Sequence, residues 1–134
     1  MALSQPRHTL ERGRDLLVIP VAASTAIHQG GLVCVNAAGY AVPGSVATTL
    51  KAAGRAEESV DNSSGGAGAA SVKVKRGVFL FKNSGADAIT AADTLADCFV
   101  VDDETVAKTN GTNTRSKAGK VLEVEANGVW VEIS

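Results

Sequence analysis

The sequence predicts a mainly β domain, built as a small β-barrel or sandwich of short antiparallel strands, with one short helix and an extended N-terminal arm. Short apolar runs recur along the chain, with turn residues between them roughly every eight to twelve positions. Hydrophobic residues make up 45% of the 134 residues but aromatics only 4%, so Ala and Val carry most of the apolar content. The C-terminal segment places an Asn-Gly pair between two apolar runs, which is a strong hairpin signal. Chain order alone leaves the choice between barrel and sandwich open.

The first 14 residues differ from the rest of the chain and are predicted to form an arm. Beyond the initiator, Leu3 and Leu10 are their only sizeable apolar side chains, so this segment cannot close a core. Its basic residues besides His8 are Arg7, Arg12 and Arg14. We therefore divide the chain into an arm at 1–14 and a single β-rich domain at 15–134. The arm is expected either to fray as a free terminus or to become ordered on a partner.

Four strands are predicted in the first half of the domain. The apolar run at 16–21 predicts a buried strand, which Pro20 confines to an edge or an end of a sheet. The segments 31–35 and 40–43 are predicted to be strands joined by a hairpin-like turn, and 22–30 is a connector. The segment 48–55 has weaker strand character, with an Ala-rich helix over 46–56 as the alternative.

The middle of the chain combines a loop with the clearest alternation. Small polar residues at 61–70 predict a mobile surface loop. From 71 to 81 the pattern predicts one long strand with a bend or bulge at Gly77, in which Val72 and Val74 share a face. Lys73, Lys75 and Arg76 form a small basic cluster there, which predicts a solvated face or, alternatively, an interface with an acidic partner.

The last third predicts one short helix and three further strands. Thr90 and Asp93 suit the N-terminus of a helix over 90–95. A strand follows at 97–101, and 106–108 is a short segment between turns. The run 120–125 and the run 129–133 form the hairpin around Asn127-Gly128. Trp130 is expected to anchor the core or the barrel end.

Cys34 and Cys98 each lie inside an apolar run, which predicts buried free thiols, although their separation cannot be judged from sequence. The N-terminus lacks the apolar core of a signal peptide. The longest apolar stretch, 16–23, is interrupted by Pro20 and falls far short of the roughly 20 residues that a membrane helix needs. The sequence therefore predicts a protein made in the cytoplasm, with no membrane contact.

No residue cluster predicts catalysis, a metal site or a cofactor. His8 and His28 have no second His or Cys at zinc-ligand spacing. The Gly-rich segment 64–68 is not followed by the Lys and Ser/Thr of a phosphate-binding loop. The acidic turn 102–104 is expected to be solvated. The formal net charge of -1 excludes nucleic-acid binding by bulk electrostatics. We expect an interaction or structural module rather than an enzyme, and no direct nucleic-acid contact.

Several segments, in order, carry a resemblance to a known family. They are LKAAGRAE at 50–57, VDN at 60–62, VKVKRGVF at 72–79, KNS at 82–84, ITAAD at 89–93, CFVVDD at 98–103, AGKV at 118–121 and GVWV at 128–131. From about residue 27 to its end the chain resembles the small capsid cement, or head decoration, proteins of tailed bacteriophages, including Mu-like phages and their prophages.

The resemblance implies a structural virion protein that is made in the host bacterial cytoplasm and binds the outer surface of the phage capsid. Its implied partners are the major capsid protein, whose neighbouring subunits it bridges, and further copies of itself in a trimer or a dimer. It implies a small β-rich tulip fold, similar to that of the lambda-type decoration protein, and no catalytic residues. Because the N-terminal arm of such proteins often joins the capsid surface, the expected capsid contacts are Arg7, Leu10, Arg12 and Arg14.

Two other function classes stay open at this stage. A low-copy adhesion module at a vertex or tail, binding a receptor or glycan through the loop at 61–70, is the alternative. A small hydrolase using His28 and an acidic partner is a more distant possibility. Copy number per particle separates an adhesin from a cement protein.

Overall fold

The structure is a computed structural model that describes residues 2–134. Within these residues it contains twelve strands and one 3-10 helix, Ala91–Asp93. The strands are β1 Leu16–Pro20, β2 Thr25–Ile27, β3 Leu32–Val35, β4 Ala41–Pro43, β5 Lys51–Ala56, β6 Val60–Asn62, β7 Ser71–Lys75, β8 Gly77–Asn83, β9 Asp97–Val100, β10 Thr105–Ala107, β11 Lys117–Glu125 and β12 Gly128–Ile133.

The strands form an open sheet, a closed barrel and a two-stranded ribbon. The open sheet is antiparallel, with strand order β1-β7-β5-β3-β4. The barrel has the order β10-β8-β12-β11-β9, and its one parallel pair is β8–β10. The ribbon pairs β2 with β6. The prediction of a mainly β fold is confirmed, and the structure contains both a closed barrel and a separate open sheet.

The passage from β7 to β8 carries the chain from the open sheet into the barrel. β7 ends at Lys75 and β8 begins at Gly77, so the predicted single strand over 71–81 is two strands of different sheets. Gly77 has a φ of 155°, a conformation that residues with a Cβ rarely adopt. The alternation is real within each strand, but its phase changes at the crossing, because β7 buries even-numbered residues and β8 buries odd-numbered ones.

Two apolar clusters hold the domain together, and β3 contributes to both. The barrel core contains the inward side chains of β8, β9, β11 and β12 together with Leu32 and Cys34 of β3. The sheet core contains Val33 of β3, packed with Ile19, Val72 and further residues. Because successive side chains of a strand point to opposite faces, β3 ties the sheet to the barrel.

Cys34 and Cys98 are free, fully buried and members of the barrel core, as predicted. Burial raises the pKa of each thiol to about 12. Thiolate, the reactive form, is therefore about a thousandfold scarcer near neutral pH than for an ordinary thiol. We expect neither thiol to react with Ellman's reagent at about pH 8 until denaturant is added. Rapid stoichiometric labelling of the folded chain would contradict this burial.

The C-terminal hairpin and the short helix follow the sequence signals. β11 and β12 pair directly across the predicted turn, with Glu125 opposite Gly128, and Val129, Val131 and Ile133 are buried as expected. The helix predicted over 90–95 is a single 3-10 turn. The backbone amide of its N-cap residue, Thr90, donates to a carboxylate oxygen of Asp93 at 2.8 Å.

The segments predicted as a connector and a loop contain the ribbon. β2 lies within the expected connector at 22–30, and β6 includes Asp61 and Asn62 of the expected loop. Asn62 is only 5% exposed, and its side-chain amide donates to the backbone carbonyls of Ala22 and Gly66. The loop prediction is therefore wrong at its first two residues. An Asn is tolerated inside because its amide hydrogens are satisfied.

Candidate interaction surfaces

The N-terminal arm contains no helix or strand between residues 2 and 14, and every one of these residues is exposed. The four predicted contact residues, Arg7, Leu10, Arg12 and Arg14, all lie here. Leu10 is 83% exposed and belongs to neither apolar cluster. All four side chains are therefore accessible to a partner. Arg12 and Arg14 also line a cavity at the base of the arm.

β1 forms one edge of the open sheet, directly after the arm. It pairs with β7 on one side, and no strand within residues 2–134 pairs with its other side. Leu16 and Val18 are 50% and 63% exposed, so the expectation of a buried strand is wrong for these two residues. The edge position inferred from Pro20 is confirmed. A free strand edge presents backbone donors and acceptors to which another extended segment can pair.

The predicted basic cluster is divided between two surfaces. Lys73 and Lys75 are exposed on β7, opposite Val18 and Leu16 of β1. Arg76 follows the end of β7, where the chain crosses to the barrel, and it is half-buried. Its backbone amide donates to the carbonyl of Asp15 at 2.7 Å. Arg76 therefore sits where the arm, the sheet and the barrel meet.

Two adjoining cavities at this meeting point form one depression, which we call the seam groove. The first, about 380 Å³, lies between β5 of the sheet and β11 and β12 of the barrel, and the second, about 900 Å³, lies between the base of the arm and β12. Arg76, Glu132, Ile133 and Ser134 line both. Six basic residues line the groove: Arg12, Arg14, Lys51, Arg76, Lys117 and Lys120.

An apolar patch lies on the outer face of the barrel. Leu80 of β8 is directly opposite Trp130 of β12, and Val78 is opposite Glu132. Val78 and Leu80 are 42% and 38% exposed. Trp130 is half-buried and lies outside the barrel core, and its indole N–H donates to Glu125 at 3.3 Å. Trp130 therefore does not belong to the barrel core, which was one of the two placements expected for it. Its strand alternates, and Val129 and Val131 occupy the inward positions.

The two histidines considered for catalysis lie in different parts of the structure. His8 and His28 are exposed, and residues 2–134 contain no group of three His, Cys, Asp or Glu side chains that could hold a metal ion. In the acidic turn at 102–104, Glu104 forms an ion pair with Lys82 at 2.6 Å. His28 lies beside this turn, because His28, Asp103 and Glu104 line one open cavity of about 380 Å³, whereas His8 lies in the arm.

A polar network around Asp87 was not predicted from the sequence. One carboxylate oxygen of Asp87 accepts hydrogen bonds from the hydroxyl and amide of Thr109 and from the guanidinium of Arg115, at 2.6, 3.0 and 2.8 Å. Asp87 lies 22 residues before Thr109 and 28 before Arg115, and the three carry no recognisable motif. The bonds from Thr109, and then Arg115, hold the pKa of Asp87 below its ordinary value of 3.8.

This network predicts a pH-dependent effect of Asp87→Asn. A carboxylate whose pKa is lowered by folding stabilises the folded state above its unfolded pKa, and that stability is lost as the pH falls through the folded pKa. We expect Asp87→Asn to lower the free energy of unfolding at about pH 7, and the difference from the unaltered chain to shrink below about pH 4. Urea unfolding at both pH values measures this. An equal difference at the two pH values would contradict the network's electrostatic role.

Comparison of the chain with known protein families, with curated proteins and with solved structures finds no match. Within residues 2–134, no helix has both the length and the apolar character required to cross a membrane. The resemblance to capsid cement proteins therefore stays a prediction that rests on the segments quoted above.

Proposed function

We propose that the chain is a structural virion protein that binds the outer surface of a phage capsid and stabilises the shell by bridging major capsid subunits. The observation that carries the proposal is the exposed arm at 2–14, which leads directly into the free edge strand β1. An accessible arm and an unpaired strand edge together supply side-chain contacts and backbone pairing for a neighbouring protein. The segments that resemble cement proteins support the same function.

The physical advantage of such a protein follows from mass action. A ligand that binds only the assembled shell stabilises assembly, because its binding energy is lost when the subunits separate. Contacts to two neighbouring subunits add avidity, since the second contact is made at a high effective concentration. We propose that the chain acts as a trimer or a dimer. The patch of Val78, Leu80 and Trp130 is a surface suited to such contacts, because exposed apolar patches mark interaction sites.

A shell-binding experiment tests this function. The purified chain is mixed with expanded empty shells of the phage or prophage that encodes it, and the pelleted fraction is measured. We expect saturable co-sedimentation and a higher disruption temperature of the loaded shells. Unassembled capsid protein is the matched control and should bind much more weakly. Absence of co-sedimentation, or binding without any gain in shell stability, would contradict the proposal.

A further inference from the structure

We propose that the seam groove binds an extended acidic segment of a partner protein. Under the proposed function this segment belongs to a capsid subunit. The charge and the lining of the groove favour an acidic segment whatever its source. Three features carry the inference: an excess of positive charge, an apolar floor, and a position between the open sheet and the barrel.

The positive charge of the groove contrasts with the rest of the chain. Six of the chain's 13 Lys and Arg residues line it, against two acidic side chains, Asp15 and Glu132. The formal net charge of the whole chain is -1. Concentrating basic residues in a concave, partly apolar surface focuses the potential on an anionic partner.

Most of these charges have no partner within the described part of the chain. Lys117 forms an ion pair with Asp97 at 3.2 Å. The ion pairs among residues 2–134 include none for the other five basic groove residues. A guanidinium such as that of Arg76 presents paired N–H donors that match the two oxygens of a carboxylate. The unpaired basic side chains of the groove can therefore exchange their bound water for hydrogen bonds to carboxylates of a partner.

The floor of the first cavity is apolar. It is formed by Ala52 of β5 and Leu50 just before this strand, and by Ala118 and Ile133 of the barrel, which are 3% and 2% exposed. An extended segment points alternate side chains to opposite sides, so one set can lie on this floor. The long Lys and Arg side chains around the floor can then reach carboxylates on the same segment. An acidic segment with interspersed apolar residues fits better than a purely acidic one.

The same features disfavour nucleic acid. No Phe, Tyr, Trp or His lines either cavity, so the groove offers no platform for stacking bases. Glu132, which lines both cavities, would repel phosphates along their path. Carboxylates on a flexible polypeptide can be spaced around Glu132, whereas the phosphates of a strand are evenly spaced.

A peptide-binding measurement on the full chain tests the proposal. The probe is a fluorescent peptide of on the order of ten residues that alternates Glu and Val, long enough to span the groove when extended. Fluorescence anisotropy at about 0.1 M ionic strength, where interactions between exposed charges more than about 10 Å apart are largely screened, gives its Kd. We expect Lys51→Glu with Lys120→Glu to weaken binding about tenfold or more. The matched control is Lys73→Glu with Lys75→Glu, which makes the same charge change on β7 outside the groove and should alter Kd less than about twofold.

Three outcomes would overturn the inference. They are absence of peptide binding by the unaltered chain, equal weakening in the two double variants, and tighter binding of a single-stranded oligonucleotide of equal charge. Lys51→Gln with Lys120→Gln gives a milder second variant if the charge reversal prevents folding, and it should still weaken binding. No shells enter this assay, so the groove can fail while shell binding stands, and shell binding can fail while the groove stands.

Discussion

Deletion of residues 2–14 is expected to abolish binding to phage shells and to leave the unfolding temperature of the domain within about 2 °C of the full chain. Every residue of this arm is exposed, and none belongs to the barrel core or the sheet core. Its removal therefore costs the fold little buried surface, while it removes the predicted contacts Arg7, Leu10, Arg12 and Arg14. Co-sedimentation with expanded shells and thermal unfolding measure the two effects.

Two further variants sharpen this test. Deletion of 2–11 removes Arg7 and Leu10 but leaves Arg12 and Arg14 at the groove, so it separates the arm from the seam groove. A chain whose arm has the same composition in scrambled order distinguishes sequence-specific contacts from general charge attraction. Unchanged shell binding after deletion of 2–14 would refute the arm as the capsid contact.

Gly54→Val is expected to unfold the domain or to lower its free energy of unfolding by about 4 kcal/mol or more. Gly54 is buried in β5 with a φ of 151°, which a β-branched residue does not adopt without strain. A Cβ at this position would also collide with the backbone carbonyl oxygen of Lys75 on β7. Because β5 lies between β7 and β3 in the sheet, relief of the collision requires separation of strands.

Urea unfolding of Gly54→Val alongside Gly66→Val gives the matched comparison. Gly66 is exposed in the loop, has an ordinary φ, and has no atom within 4 Å of the added Cβ. Its substitution is expected to change stability by less than about 0.5 kcal/mol. If the two variants were equally stable, the close approach of β5 and β7 would be contradicted.

Local signals predicted the elements whose partners are close in sequence. The hairpin around Asn127-Gly128 joins β11 to β12, and the alternation after it identified the buried residues of β12. The break between β7 and β8 was misjudged, because alternation reports a buried face and not the sheet to which it belongs. The ribbon was missed because each strand has three residues, and Thr25 pairs with Asn62 far along the chain.

Of the candidate surfaces, one was predictable from a single segment of sequence and the other is formed only by the fold. The arm was predictable, because poverty in apolar residues is a property of one continuous segment. The seam groove was not, since its basic residues come from the arm, β5, the β7–β8 junction and β11, and only the fold brings them together. Trp130 shows the limit of residue type as a guide. Its size suggested the core, but its register opposite Leu80 places it on the outer face.

Quantitative mass spectrometry of phage particles, purified from a host that carries the gene for this chain, tests the proposed function most directly. The account predicts a copy number comparable to that of the major capsid protein, because a protein that bridges capsid subunits covers the shell. A few copies per particle would contradict it and favour the vertex or tail adhesion module. Complete absence from the particles would contradict any role in the virion.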